Sequence, residues 1–179
     1  MNKAGQYAAT AAQIKALIEG ETDLVAAMST MVCELHHGLD HFDWTGFYRV
    51  VSPGNLKVGP YQGAHGCLSI SFDRGVCGKC AREGKTQVIP DVRAIPFHIA
   101  CSSSTLSEIV VPVFDSRGEV RAVLDVDSNS LAAFDDTDAQ HLEELCGWLT
   151  PLYEIAKGRP PYQPRALALG SPPQQTPER

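Results

Sequence analysis

Apolar positions in the first forty residues recur at helical spacing. One helix is predicted over residues 8–18 and stopped by Gly20, and a second places Leu24, Ala27, Met28, Met31 and Leu35 on one face. Cys33 and the methionines on that stripe read as core packing. After Asp40 the pattern changes to strands. Residues 47–51 are aromatic and β-branched, and Ser52-Pro53-Gly54-Asn55 is turn chemistry. Residues 56–62 then return as a hairpin partner, with Gly59-Pro60 marking an edge or a bulge. A short strand is expected over 68–72, a helix from Gly75 to about Glu83 with Gly84 as its C-cap, and another strand over 86–89. Residues 90–107 show no period, and loops of that length in compact domains are usually functional or disordered. Residues 108–114 and 120–126, joined by Asp115-Ser116-Arg117-Gly118, read as an antiparallel hairpin. The last helix begins at the N-cap Asp135, carries more acid in its first turn and buries Leu142, Leu145, Leu149 and Leu152. Pro151 should kink it or end its first part, because proline removes an internal hydrogen bond.

Helices at both ends of a block of antiparallel strands define an α+β domain. Residues 1–157 are expected to form it alone. From Gly158 the composition turns to Pro, Gln, Arg and Ser without apolar period, so 158–179 is expected to be a disordered tail.

Length and charge narrow the partners. The chain has 179 residues, fitting one domain of about 100–200 residues. Its net charge is −6 with no basic stripe, which argues against nucleic acid and anionic membrane surfaces. The first twenty residues lack the apolar core and cleavage site of a secretory signal. The longest apolar run, 109–114, is broken by Pro112 and is too short for a bilayer. A cytoplasmic location is expected, and six cysteines there should be mostly reduced.

Three of those cysteines carry the candidate chemistry. Cys101 closes Pro96-Phe97-His98-Ile99-Ala100-Cys101, three positions after a histidine and ahead of a polar, Ser-rich stretch. It is the leading nucleophile, since a reactive thiol needs a lowered pKa and partial exposure. Cys67 and Cys77 are candidate resolving thiols. Zinc is the competing account: Cys77-Gly78-Lys79-Cys80 is a C-x-x-C, but it lacks a second pair, leaving Cys67, Cys101, His65 and His98 as the only nearby ligands. An acidic group forms the second constellation. Glu108 begins one strand, and Asp125 and Asp127 share a face of the next. Carboxylates so placed repel unless a cation binds or one holds a proton. The bland alternative is a strand end leaving the sheet at Asp127-Ser128-Asn129. Trp44 and Tyr48, four apart around Gly46, share a face if extended and can line an apolar site for a small group such as a methyl; core packing is the alternative.

Taken together, Trp44-Thr45-Gly46-Phe47-Tyr48, Tyr61-Gln62-Gly63, Cys67, Gly75-Val76-Cys77-Gly78, Asp91-Val92, His98-Ile99-Ala100-Cys101, Ser107-Glu108-Ile109-Val110-Val111-Pro112, Leu124-Asp125-Val126-Asp127-Ser128 and Phe134-Asp135 resemble the free methionine-(R)-sulfoxide reductases, which are single-domain GAF proteins. The resemblance runs from Trp44 to the final helix. It implies a GAF-like fold, a central antiparallel sheet flanked by N- and C-terminal helices. It implies reduction of free L-methionine-(R)-S-oxide, with Cys101 as catalytic cysteine, Cys67 as main resolving cysteine and Cys77 as a further relay thiol. Glu108, Asp125 and Asp127 correspond to carboxylates that hold the substrate ammonium and help polarise the sulfoxide oxygen. Trp44 and Tyr48 correspond to the aromatic pocket around the methyl. No bound cofactor and no metal are implied. The resemblance further implies thioredoxin as reductant, itself recycled by NADPH-dependent thioredoxin reductase, and a homodimeric assembly. Phe97, where the family usually has glycine, and Ser102, where aspartate is common, depart from the pattern. Cys80 lies outside it and reads as a packed helix thiol. A GAF module that kept the pocket and lost turnover is the alternative within the same fold.

Overall fold

The computed structural model describes residues 2–95 and 104–158. The irregular segment with Phe97, His98, Cys101 and Ser102, and the tail beyond Gly158, lie outside the described residues. Helix α1 spans Lys3–Leu17, five residues earlier than the apolar period alone predicts. Asn2 sets the start: its side chain accepts from the Gly5 amide at 2.9 Å, leaving fewer orphan donors in the first turn. Helix α2, Leu24–Gly38, is capped by Asp23, which accepts from Val25 and Ala26. Strands β1, Trp44–Ser52, and β2, Asn55–Gln62, form the first hairpin. Their register slips where Gly46 faces Tyr61 and Tyr48 faces Val58, so Gly59-Pro60 is a bulge. Strand β3 is Ser69–Ser71, helix α3 is Gly75–Glu83, and strand β4 is Gln87–Ile89. Gly84 ends α3 at φ 60°, a left-handed C-cap that glycine adopts without steric cost. A 3-10 turn over Val92–Ala94 opens the long connection.

Strands β5, Ser107–Phe114, and β6, Val120–Ser128, complete one antiparallel sheet of order β3-β2-β1-β6-β5-β4. Both β5 and β6 are buried on two faces, which is why they read as apolar runs and not as alternation. One face packs Phe47, Ile109, Val111, Leu124 and Val126 against α1, α2 and the C-terminal helices. The other is covered by α3, which lays Val76, Cys77, Cys80 and Ala81 on Tyr48, Val110 and Val123. The prediction that Pro151 divides the last helix holds: α4 is Asp136–Gly147 and α5 is Thr150–Gly158. No described helix is long and apolar enough to cross a membrane.

The N-terminal helix is tied to α4 through one buried carboxylate. Asp138 accepts from Lys3 Nζ at 2.6 Å, Tyr7 Oη at 2.8 Å and the Asp135 amide at 2.8 Å, and pairs with His41 Nε2 at 3.0 Å. Burial alone would push this carboxyl up, yet the His41, Lys3, Asp135 and Tyr7 hydrogen bonds hold it far below the usual range. A depressed carboxyl stabilises the fold above its unfolded pKa of about 3.9 and loses that contribution as pH falls toward the folded value. Asp138→Ala should therefore cost about 3–5 kcal/mol at pH 7, because it strands its buried partners. Urea unfolding followed by circular dichroism measures it, and the deficit should shrink only below about pH 4.

Candidate active site

The register of the sheet assembles the site. Trp44 faces Asp127 and Gly46 faces Asp125 across β1 and β6, while Glu108 faces Asp127 and Val110 faces Asp125 across β5 and β6. Directly paired residues share a face, and i, j±2 neighbours are within reach of long side chains. Trp44, Tyr48, Glu108, Asp125 and Asp127 therefore converge on the face that α3 covers. Strand β6 does not leave the sheet at Asp127. It continues through Ser128, and Asp43 holds the chain beyond by accepting from the Asn129 amide at 2.7 Å.

The aromatic residues form a stacked wall. The Trp44 ring lies 5.8 Å from Tyr48 at an interplanar angle of 26° and 5.6 Å from Tyr61 at 19°. Its indole N–H donates to the Ala64 carbonyl at 2.8 Å, which fixes the ring's orientation. Glycine is required beneath it: a Cβ at Gly46 would lie 2.5 Å from the Trp44 ring and 2.6 Å from Tyr61 Cβ. A Cβ at Gly66 would meet the Trp44 ring at 2.8 Å and the Tyr48 hydroxyl at 2.9 Å, so the loop carrying Cys67 presses against the same wall. The Cys67 backbone hydrogen-bonds the Tyr48 hydroxyl. Burial, and then the charges of Asp125, Cys77 and Asp127, keep that phenol protonated well above the usual range.

Cys67 is half-buried and disulfide-bonded. Cys33, Cys77, Cys80 and Cys146 are free thiols. Cys77, in the first turn of α3, is buried, and burial followed by the nearby Asp125 and Glu108 carboxylates pushes its thiol well up. It is therefore a protonated thiol at neutral pH, and its attack on a disulfide needs that environment to open. Cys80 turns away and donates to the Val110 carbonyl at 3.5 Å, so the C-x-x-C does not act as one ligand pair. Instead, Cys77 Sγ and one oxygen each of Glu108 and Asp125 lie within 4.8 Å of one another.

Burial favours the protonated form throughout the acidic group. Burial, then the charges of Asp125 and Asp127, pushes the Glu108 carboxyl well up. Burial, then Asp125, does the same to Asp127, against a hydrogen bond from Thr105. Burial raises Asp125 to about 6, opposed by Cys77 and Glu108. A face of this kind accepts an ammonium, which relieves the repulsion, and supplies a proton to a leaving oxygen. Sequence reasoning gave no role to Tyr61 or Thr105. Tyr61 lies within a quoted motif, but only the bulge at Gly59-Pro60 brings its ring onto Trp44. Thr105 lies in the aperiodic segment and carried no signal.

These features define a GAF domain, and the GAF domain family matches residues 21–149. GAF domain-containing protein A of Dictyostelium discoideum is 39% identical over 144 residues, 80% of this chain and 90% of that protein. The free methionine-R-sulfoxide reductase of Escherichia coli is 36% identical over 149 residues, 83% of this chain and 89% of the enzyme. The X-ray structure of free methionine-R-sulfoxide reductase from Neisseria meningitidis in complex with its substrate superposes with a TM-score of 0.83 at 42% identity, covering 88% of this chain and 93% of that one. The chain belongs to the free methionine-(R)-sulfoxide reductase family of GAF-domain oxidoreductases.

Proposed function

We propose that this protein reduces free L-methionine-(R)-S-oxide to L-methionine with its own thiols as electron donors. One observation carries the reading: three buried carboxyl groups with raised pKa values, a stacked aromatic wall and the disulfide-bonded Cys67 meet on one sheet face. The substrate ammonium is held by Glu108, Asp125 and Asp127, and its methyl lies against Trp44 and Tyr48. The Cys101 thiolate attacks the sulfoxide sulfur, and a proton from the acidic group reaches the departing oxygen. Methionine leaves, and the oxygen and proton remain on sulfur as the Cys101 sulfenic acid. The Cys67 thiol then attacks that sulfur, forming the disulfide and releasing water. Two thiols are oxidised and one sulfoxide is reduced, so the electrons balance. The disulfide-bonded state of Cys67 supports its role as a resolving thiol. Cys77 serves as a further relay thiol once its surroundings open.

Regeneration by thioredoxin and a homodimeric assembly extend the proposal on the strength of the family resemblance, and a cytoplasmic location and a single catalytic domain over 1–157 extend it from the sequence pattern. The test is turnover of racemic free methionine sulfoxide with dithiothreitol, resolved by chiral chromatography. The R epimer should disappear while the S epimer and peptide-bound methionine sulfoxide persist. Consumption of neither free epimer, or equal consumption of both, would refute the reading.

A further inference from the structure

We propose that the reduced protein also binds a zinc-type divalent cation through Cys77 Sγ and one carboxylate oxygen each of Glu108 and Asp125. The three donors come from three elements, the first turn of α3 and strands β5 and β6, and lie within 4.8 Å of one another. Donor atoms around tetrahedral zinc lie about 3.5 Å apart, given Zn–S near 2.3 Å and Zn–O near 2.1 Å, so closure needs about 1 Å of side-chain movement. A second observation points to a ligand: the Asp125 side chain hydrogen-bonds Cys77 and Glu108, yet its Oδ1 is buried and accepts no hydrogen bond among the described residues, on a residue 6% exposed. Such an atom is costly to leave unmet, and a cation meets it directly.

The donor chemistry sets the class of ion. Binding displaces the protons that Cys77 and Glu108 hold, and the resulting thiolate and two carboxylates suit a borderline ion such as Zn²⁺ or Co²⁺, whereas Mg²⁺ and Ca²⁺ require more oxygen ligands and avoid sulfur. Asp127, next along the same face, is only half-buried, so solvent comes within one residue of the group. The ion would occupy carboxylates assigned above to the substrate ammonium and would withhold Cys77 from disulfide exchange. That consequence for catalysis rests on the proposed activity; the binding itself does not.

The test is titration of the fully reduced, full-length protein with Co²⁺, reading the thiolate-to-cobalt charge-transfer band in the near ultraviolet. The band should appear, vanish in Cys77→Ser and persist in Cys80→Ser. Asp125→Asn, nearly isosteric and checked by circular dichroism, should weaken binding by about tenfold or more. No band in the parent protein, a band surviving in Cys77→Ser, or unchanged affinity in Asp125→Asn would overturn the site. Zn²⁺ should also compete with methionine sulfoxide in single turnovers run without added reductant. Binding without competition would support the metal site and move the substrate off these carboxylates. A protein that binds Co²⁺ through Cys77 but turns over no sulfoxide would support the metal site and refute the activity.

Discussion

Serine at position 101 should abolish methionine release, including the single equivalent that a fully reduced protein delivers without external reductant. Attack on a sulfoxide sulfur needs a polarisable thiolate, and an alcohol is neither ionised near neutral pH nor a comparable nucleophile for sulfur. The first-turnover rate should fall by roughly four orders of magnitude or more. The companion substitution separates attack from resolution. Cys67→Ser keeps the nucleophile, so it should release one equivalent of methionine and then stall with a sulfenic acid on Cys101. Dimedone labelling and mass spectrometry report that adduct. Added dithiothreitol should restart the stalled protein by taking over the role of Cys67, but it should do nothing for Cys101→Ser. Methionine release at the parental rate from Cys101→Ser would move the nucleophile to another thiol, and Cys77 would be the next to test.

Asp125→Asn should lower activity and raise stability together. Burial holds the Asp125 carboxyl at about 6, above the value near 3.9 expected when unfolded. The folded state then binds more protons than the unfolded state between about pH 4 and pH 6, so stability falls as pH rises through that window. Asparagine removes the ionisation and with it this slope. The variant should be more stable than the parent by roughly 1–3 kcal/mol above pH 6, with the difference closing below about pH 4. Thermal melts across that range measure the effect. In the same protein kcat/KM for methionine sulfoxide should drop about 100-fold, because an amide neither pairs with the substrate ammonium nor supplies the proton. A variant that kept full activity would mean that the side chain takes no part with the substrate. One that gained no stability would mean that the charge is compensated within the fold.

Much of this arrangement was legible from residue order, for identifiable reasons. Period-two spacing put Asp125 and Asp127 on one face, and strand pairing then brought in Glu108 and Trp44 by register. The helix at Gly75 and its cap at Gly84 followed from local chemistry that tertiary contacts did not override. The start of α1 was missed because its first turn is held by a polar cap and by distant partners, Lys3 and Tyr7 on Asp138, which no apolar period reveals. The third ring of the wall was missed because a bulge changes which face Tyr61 occupies. The state of Cys77 was hidden for a different reason. A cysteine in a C-x-x-C looks like half of a metal or redox pair, but helix orientation sends Cys80 to the Val110 carbonyl and leaves Cys77 facing carboxylates.

The sheet's outermost strands, β3 and β4, are three residues each. Beyond Lys57, where β3 stops pairing, β2 runs into a proline that offers no amide hydrogen. A ladder that short gives an incoming strand little to grip, so the described edges offer little template for growth of the sheet by edge-to-edge addition. A second copy of this chain is then expected to meet it through surfaces away from these edges, the helical faces among them. Its assembly, at whatever concentration it occurs, should then leave the amide-exchange protection of β3 and β4 unchanged while altering that of the helices.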